Sequence, residues 1–459
     1  MKKIFATLLA LTILLTALQL SGCRDEIDDP EGTSELGAGT TLETATDGTA
    51  KDTTEDTTED TTAESESEES LYIPESDTWD GSVATSFAKG SGTESDPYLI
   101  TSAEQLAFLA KEINSGKNYT GKKFSLMCDI DLNNLEWTPI GNGDHSFDGS
   151  FDGNEHTIKN LKITEGIFFD KVYPHTTIKQ YASGLFGVCE DFVIKNLTIN
   201  DSEIIIQNTV DRYSILAGVL LGEATVNTSV EISNIKILNS SIVSDFTQES
   251  LATQLHIGGV GGHMSSEIET NIEISNIQSN VHISIENGQG KYNRIGGIWG
   301  GMILKNLCDI ENCASYLSID VDLTYIFDNY FGAFGMTQVS ENFLSLTNVF
   351  SKVSVDKTYD SLLGCGAQYY ANAIIGQAYH GKQQDLSVIG GYQFENVFGY
   401  VEENNTITDE NQKFYQLYDM PSHAVYTETN CQSCEELPET HGFDENIWDL
   451  TDLKNPKLK

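Results

Sequence analysis

From about residue 180 onward the chain alternates between apolar and polar positions. Val230-x-Ile232 and Ile235-x-Ile237 place every second side chain on one face, the period of a strand with one side turned inward. Short glycine-rich apolar runs punctuate the alternation: Gly184-Leu185-Phe186-Gly187, Gly218-Val219-Leu220-Leu221-Gly222, Gly259-Val260-Gly261-Gly262, Gly297-Ile298-Trp299-Gly300, Gly332-Ala333-Phe334-Gly335 and Ala373-Ile374-Ile375-Gly376. After each comes a β-branched stretch with an asparagine, namely Asn196, Asn234, Asn276, Asn312, Asn348 and Asn396, with Asn160 as an earlier member. These asparagines recur roughly every 36 to 48 residues, the spacing of repeat architectures. Each period holds about three strands, too few for the four of a propeller blade. The pattern predicts an all-β solenoid, a right-handed parallel β-helix.

Local chemistry agrees with that layout. Glycine in the runs permits tight bends and close approach of neighbouring backbones. Asparagine tolerates a left-handed backbone, so it suits a corner and can stack amide on amide from coil to coil. Ahead of the repeats, Ser102 and Gln105 form a capping-box pattern that opens a helix to about Asn114, stopping at Ser115-Gly116. That short N-terminal helix would cover the open first coil. Phe443, Trp448 and Leu450, before Pro456-Lys457-Leu458, read as a segment that covers the last coil.

The N-terminus is of another kind. Lys2 and Lys3 precede an apolar run from Ile4 to about Leu20, the order and length of a secretory leader. The run closes on Leu20-Ser21-Gly22-Cys23. This resembles the lipobox of bacterial lipoproteins, in which the cysteine thiol takes a diacylglyceryl group and becomes the new N-terminus. An ordinary leader that happens to contain a cysteine is the alternative. No later stretch approaches the roughly 18 consecutive apolar residues of a membrane helix, so the lipid is the expected anchor, on the extracytoplasmic face of a bacterial membrane. Residues 24 to about 78 are Asp, Glu, Thr, Ser and Gly with almost nothing to bury, which reads as a disordered, self-repelling tether. The expected divisions are a leader (1–22), a lipidated acidic tether (23–78), an N-terminal cap with the first coils (79–165), the repeats (166–403) and a closing segment (404–459).

Charge narrows the functions. With 69 acidic residues against 26 Lys plus Arg, the formal net charge is −43. A field of that sign repels phosphate backbones, which excludes nucleic acid as a partner. Beyond Arg24 the only arginines are Arg212 and Arg294, a poor supply for an enzyme that must neutralise a polyanionic substrate. With Cys23 lipidated, seven of the eight cysteines remain, an odd and scattered set unlike a disulfide framework. Cys431-Gln432-Ser433-Cys434 is a lone CxxC, read as a local disulfide or two free thiols.

The glycine runs resemble the Gly-Leu-Val-Gly-like repeats, the GLUG motif, of bacterial cell-surface proteins. The N-terminal part matches the same class through Asp96-Pro97-Tyr98-Leu99-Ile100, Trp137-Thr138-Pro139-Ile140-Gly141 and Phe147-Asp148-Gly149-Ser150-Phe151-Asp152-Gly153-Asn154. The resemblance covers roughly residues 87 to 400. Ala217, Ala333 and Ala373 depart from the motif. What it implies is a surface β-helix, without a particular activity.

Candidate chemistry is sparse. Asp144, Asp148 and Asp152, near His145 and His156, could hold Ca²⁺, but Phe-Asp-Gly is also a turn sequence. Asp129 with Asp131, and Asp320 with Asp322, pair carboxylates along a strand, as glycoside hydrolysis needs or as any solvated strand shows. No residue is assigned a catalytic, cofactor-binding or metal-binding role. Alignment of the glycine runs on their first residue puts Tyr181, Ile215, His256, Arg294, Asn329 and Tyr370 three places upstream, and Lys179, Tyr213, Gln254, Tyr292, Phe327 and Gln368 five places upstream. Stacked at about 4.8 Å per coil, Tyr213, His256, Tyr292 and Arg294 would form a solvent-reachable binding ribbon for a glycan or a protein. Ordinary loop packing is the alternative.

The function that follows is a monomeric, surface-displayed module for adhesion, scaffolding or glycan binding. A lyase or glycoside hydrolase on the same fold is the runner-up by analogy. The N-terminal reading is tested directly: Cys23→Ala is expected to abolish metabolic palmitate labelling and leave the protein unprocessed or released. Equal labelling of the variant would refute the anchor.

Overall fold

The computed structural model describes residues 72–459, apart from 174–175, 208–212, 246–253, 267–269, 287–291, 306, 322–327, 340–342, 356–368, 381–390, 404–411 and 415–424. The expected leader, Cys23 and most of the expected tether lie outside the described residues. The fold is a parallel β-solenoid with one α-helix among the described residues. Its spine is a stack of long strands, Val193–Asn200, Ser229–Asp245, Asn271–Glu286, Cys308–Val321, Phe343–Val355 and Gly391–Glu403, each parallel to the next. Toward the N-terminus the stack continues through Thr157–Lys159 and Asp129–Asp131 to Ser76–Thr78. A paired strand therefore stands within residues 23–78, the stretch whose composition suggests tether. Ser76–Thr78 pairs through its main chain, so its polar side chains do not betray it, while Trp79 beside it is buried.

Each long strand turns a corner on an asparagine. Asn160, Asn196, Asn234, Asn276, Asn312, Asn348, Asn396 and Asn430 all have φ between 53° and 58°, the left-handed region that asparagine enters more readily than most side chains. Their amides form the expected ladder. Asn276 donates to Asn234 and Asn234 to Asn196, both at 2.8 Å; Asn196 donates to the Asp152 carboxylate at 2.9 Å. A second run links Asn430, Asn396, Asn348 and Asn312 at 2.7 to 2.9 Å. Between the runs, Asn276 Oδ1 has no hydrogen-bond partner among the described residues.

The glycine runs make the other bend. They join a pre-bend arm (Thr176–Ser183, Ser214–Gly218, Gln254–Gly258 and the first half of Tyr292–Leu304) to a post-bend arm (Phe186–Glu190, Leu221–Val226, Gly261–Ser266 and the second half of Tyr292–Leu304). Close approach, rather than positive φ, requires glycine here. A Cβ at Gly262 would collide with the backbone of Ala217, and one at Gly300 with that of Ile257, each in the preceding coil. Inside the solenoid, a Cβ at Gly297 would collide with the Ser315 hydroxyl, so the small residue of one wall matches the buried serine of the other.

Both ends are closed from the side. The helix spans Ala103–Asn114 and buries Leu106, Leu109 and Ile113 in the same core as the first coils. Its cap differs from the expected box: Ser102 makes no side-chain cap bond, the Ala103 N–H donates to Asp77 at 2.8 Å, and Gln105 accepts from the Thr101 N–H at 2.8 Å. At the other end the closing segment does more than cover the last coil. After Gln432–Ser433 pairs with Phe398–Gly399, the chain folds back along the flank and sets Leu437, Phe443, Trp448 and Leu458 on Ala314, Phe350 and Phe398, a second apolar core. Tyr316 donates to the Pro456 carbonyl at 2.9 Å and the Leu458 N–H to Gln278 at 2.9 Å, so this strap rivets several coils together.

The ladder makes a separable prediction. Asn234→Ala loses both the left-handed tolerance and the amide bonds, and is expected to lower stability by about 1 to 3 kcal/mol. Asn234→Gly keeps the corner and is expected to cost less. Chemical denaturation giving equal losses for the two would refute the corner role.

Candidate functional site

The bends bring the outward faces of the two arms against each other, and the seam between them holds most of the expected ribbon. The pairing is Gly218 with Gly258, Gly258 with Gly296 and Gly296 with Gly332; an alignment on Gly259 and Gly297 is one residue late. The coils absorb the difference within the bend, where the register shifts between Gly296 and Trp299. A slip of one residue exchanges the faces of a strand. The true outward column is Leu216, His256, Arg294 and Tyr330, whereas Ile215 and Asn329 belong to the alternate, inward set.

Three of the four ribbon residues meet. Arg294 Nη1 lies 2.9 Å from Gln254 Oε1 and 3.0 Å from His256 Nε2, and the guanidinium lies 5.4 Å from the Tyr292 ring. Tyr213 falls in the alternate register and packs instead on the hairpin Ile167–Ser183, with Phe168 at 5.3 Å and Lys179 at 5.5 Å. His256 is only 2 % exposed, so it offers nothing to solvent.

Sequence reading missed the groups opposite them. Glu223, 1 % exposed, accepts from Lys171 Nζ at 2.6 Å and lies 2.8 Å from His263 Nδ1. His263 stands edge-on to His256 with ring centroids 4.9 Å apart. Burial alone would push the Glu223 carboxyl up, but the His263 and Lys171 charges and their hydrogen bonds outweigh it and hold it below the ordinary value of 4.5. Both oxygens of Glu223 are thus engaged, which suits a clasp between hairpin and coils better than acid–base chemistry. A lone acid inside the apolar stretch Leu216–Val226 was the available signal.

A second surface lies on the long strands, just ahead of the asparagine corner. Glu231, Glu273 and Asp309 stack in register on three successive coils, followed by Ser345. Glu273, Ser275, Asp309, Glu311, Ser345 and Thr347 line an open groove of about 230 Å³. No cation lines it. Partial burial, then the charge of Glu273, raise the Asp309 carboxyl above its usual value, against a hydrogen bond from Ser345. The three acids each stand three residues before a corner asparagine, so alignment on asparagine rather than glycine would have found them.

The other candidates are absorbed by structure. Asp152 accepts from the Asn154 N–H at 2.8 Å in an Asx turn and from Asn196. Asp148 accepts from Thr120 at 2.6 Å. Asp131 is held by Asn160 at 2.7 Å and Lys159 at 3.3 Å, and Asp129 by His156 at 3.1 Å. Asp320 faces His282 at 3.9 Å, while Asp322 lies outside the described residues. Among the described residues no group of three or more His, Cys, Asp or Glu is placed to hold a metal ion. Cys431 and Cys434 are free thiols, one packed on the solenoid core and the other on the strap core.

No family model matches the chain, so the GLUG likeness rests on the motifs themselves. A protein of Evansella cellulosilytica named "Putative Gly-rich membrane protein" is 32% identical over 160 residues, covering 32% of this chain and 16% of that protein's length. A crystal structure described as a "putative immunoglobulin A1 protease" from Bacteroides ovatus superposes with a TM-score of 0.47 and 18% identity, over 81% of this chain and 95% of that one. No described helix is long and apolar enough to cross a membrane.

The buried clasp gives a pH prediction. A carboxylate whose folded pKa is depressed stabilises above its unfolded value of 4.5, and that contribution is lost as pH falls through the lower folded value. Glu223→Gln is expected to lower stability by about 1 to 3 kcal/mol at neutral pH, because it removes the buried carboxylate that joins Lys171 to His263, and to flatten the acid limb of the stability profile. An unchanged limb would refute the ion pair.

Proposed function

We propose that the protein is a lipid-anchored, surface-displayed solenoid whose long-strand groove binds a neutral, hydroxyl-rich ligand such as a glycan. The observation that carries this reading is the stack of Glu231, Glu273 and Asp309 in adjacent register, the last two in a groove lined by no cation among the described residues. The fold does not require it. These positions face outward, where any polar residue would serve, and like charges opposite one another on neighbouring strands destabilise a sheet. Such a local cost at a groove is characteristic of binding sites. Ionised carboxylates only accept hydrogen bonds, whereas sugar hydroxyls donate them, and the Ser275, Ser345 and Thr347 hydroxyls do both. The same charge turns anionic polymers away. The break in the amide ladder falls between the strands that carry Glu273 and Asp309, consistent with a departure from structural regularity at a site.

The N-terminal pattern supplies the setting. A lipid at Cys23 and an acidic tether would hold the domain clear of the membrane. The name of the Evansella relative agrees with a membrane location. One observation favours a second reading, glycoside hydrolysis: partial burial, then the charge of Glu273, raise the Asp309 carboxyl above its ordinary value, the direction that a general acid needs.

A neutral-glycan array separates the possibilities. Wild-type protein is expected to bind, and Glu273→Gln with Glu311→Gln to lose at least about tenfold in affinity, two lost charge-assisted hydrogen bonds. Because Asp309 is ionised at a cost in the fold, Asp309→Asn is expected to bind less and melt higher at neutral pH. A variant that binds normally would refute the groove. Release of new reducing ends by the wild type, lost in Asp309→Asn, would establish the hydrolase instead.

A further inference from the structure

The groove leaves the seam unused, and the geometry of the seam is unlike that of a plain ion pair. His256 is enclosed on every side. From its own arm, Gln254 Oε1 lies 2.9 Å from Nε2. From the next coil, Arg294 Nη1 lies 3.0 Å from the same nitrogen, with Tyr292 stacked beyond it. From the post-bend arms, His263 stands edge-on, and the backbone at Gly301 closes on Nδ1, where a Cβ would collide. Nδ1 has no hydrogen-bond partner among the described residues. Behind His263 come Glu223 and, from the hairpin, Lys171.

Those are the titratable and charged groups that face His256 in the described structure. With His256 neutral, the described side chains of the seam already set the cations Lys171 and Arg294 against one anion, Glu223. The anion is engaged by Lys171 and His263, and His263 separates it from His256. A proton on His256 would place a further cation against the guanidinium at 3.0 Å, beside the Gln254 carbonyl that both groups contact.

We infer that the seam is a proton-operated latch, in which protonation of His256 drives Arg294 off its seat on Gln254 and His256 and opens the Tyr292–Arg294 edge of the solenoid to solvent. The sign is consistent. Burial first, then the Arg294 and His263 charges, hold His256 well below its ordinary value of 6.5. The opened state therefore takes up the proton first, so acidification below that value favours opening progressively. A closed seam at neutral pH becomes, in acid, a surface that presents a guanidinium within an otherwise acidic domain.

Hydrogen exchange tests this. Exchange is followed in the whole protein at about pH 7.5 and about pH 4.5, normalised for intrinsic chemical rates, in peptides spanning Gln254–Gly258 and Tyr292–Gly296, with Ile274–Val281 as the internal reference. In the wild type, protection of the two seam peptides is expected to fall at least about tenfold in acid while the reference holds. His256→Gln, which cannot take a proton, is expected to show no such loss. Arg294→Gln, which keeps the imidazole but removes the guanidinium it repels, is expected to show a smaller loss than the wild type. Seam protection that is equal at the two pH values in the wild type overturns the latch, as does the same loss in His256→Gln. Should that variant not fold, a wild-type-sized loss in Arg294→Gln overturns it equally.

Discussion

The left-handed corner is the constraint on which the rest of this solenoid depends. A parallel stack tolerates coils of different length only if something returns each strand to register. Here an asparagine at φ near +55° does so on successive coils, and its amide reports to the coil before it. The intervening loops can then vary while the long strands keep register across the corner, as Glu311 with Thr347 and Cys313 with Val349 do; the shift between Ile237 and Ser240 falls beyond it. The glycine bend works differently. It lets backbones approach and absorbs an extra residue, so it positions the arms without fixing their count.

That difference explains what was legible in the sequence. The alternation of Val230, Ile232, Ile235 and Ile237 and the recurrence of asparagine express strand period and corner conformation, both local properties, and they led to the fold. The ribbon of Tyr213, His256, Tyr292 and Arg294 was read from the glycine runs, where an inserted residue is invisible, and a single slip moved Ile215 and Asn329 onto the wrong face. Three of the four residues still meet because His256, Arg294 and Tyr292 happen to share the same offset. Glu223 and Lys171 are far apart in sequence, and nothing short of the folded hairpin joins them. The strap escaped for the same reason: Trp448 and Phe350 are neighbours only because the chain turns back along its own flank.

The two polar surfaces show opposite economies. In the seam the charges are met by partners, and the enclosed Glu223 is held ionised by His263 and Lys171 despite its burial. In the groove Glu273 and Asp309 stand exposed and are met by neutral donors, Asn271 at 2.8 Å and Ser345, rather than by a cation. The first arrangement joins coils to the hairpin and couples them to pH. The second leaves like charges side by side at the surface, where a ligand bearing hydroxyl donors would relieve the repulsion that the fold alone does not. The proposed binding site is therefore the outward face of the long strands, beside the corner that fixes their register.

The measurement that bears most directly on this account is a crystal structure of the protein grown with a neutral oligosaccharide that it binds. The account predicts sugar density in the groove, with hydroxyls within hydrogen-bonding distance of the Glu273, Asp309 and Glu311 carboxylates and the seam unchanged. Sugar held elsewhere, with the groove filled only by solvent, would contradict it.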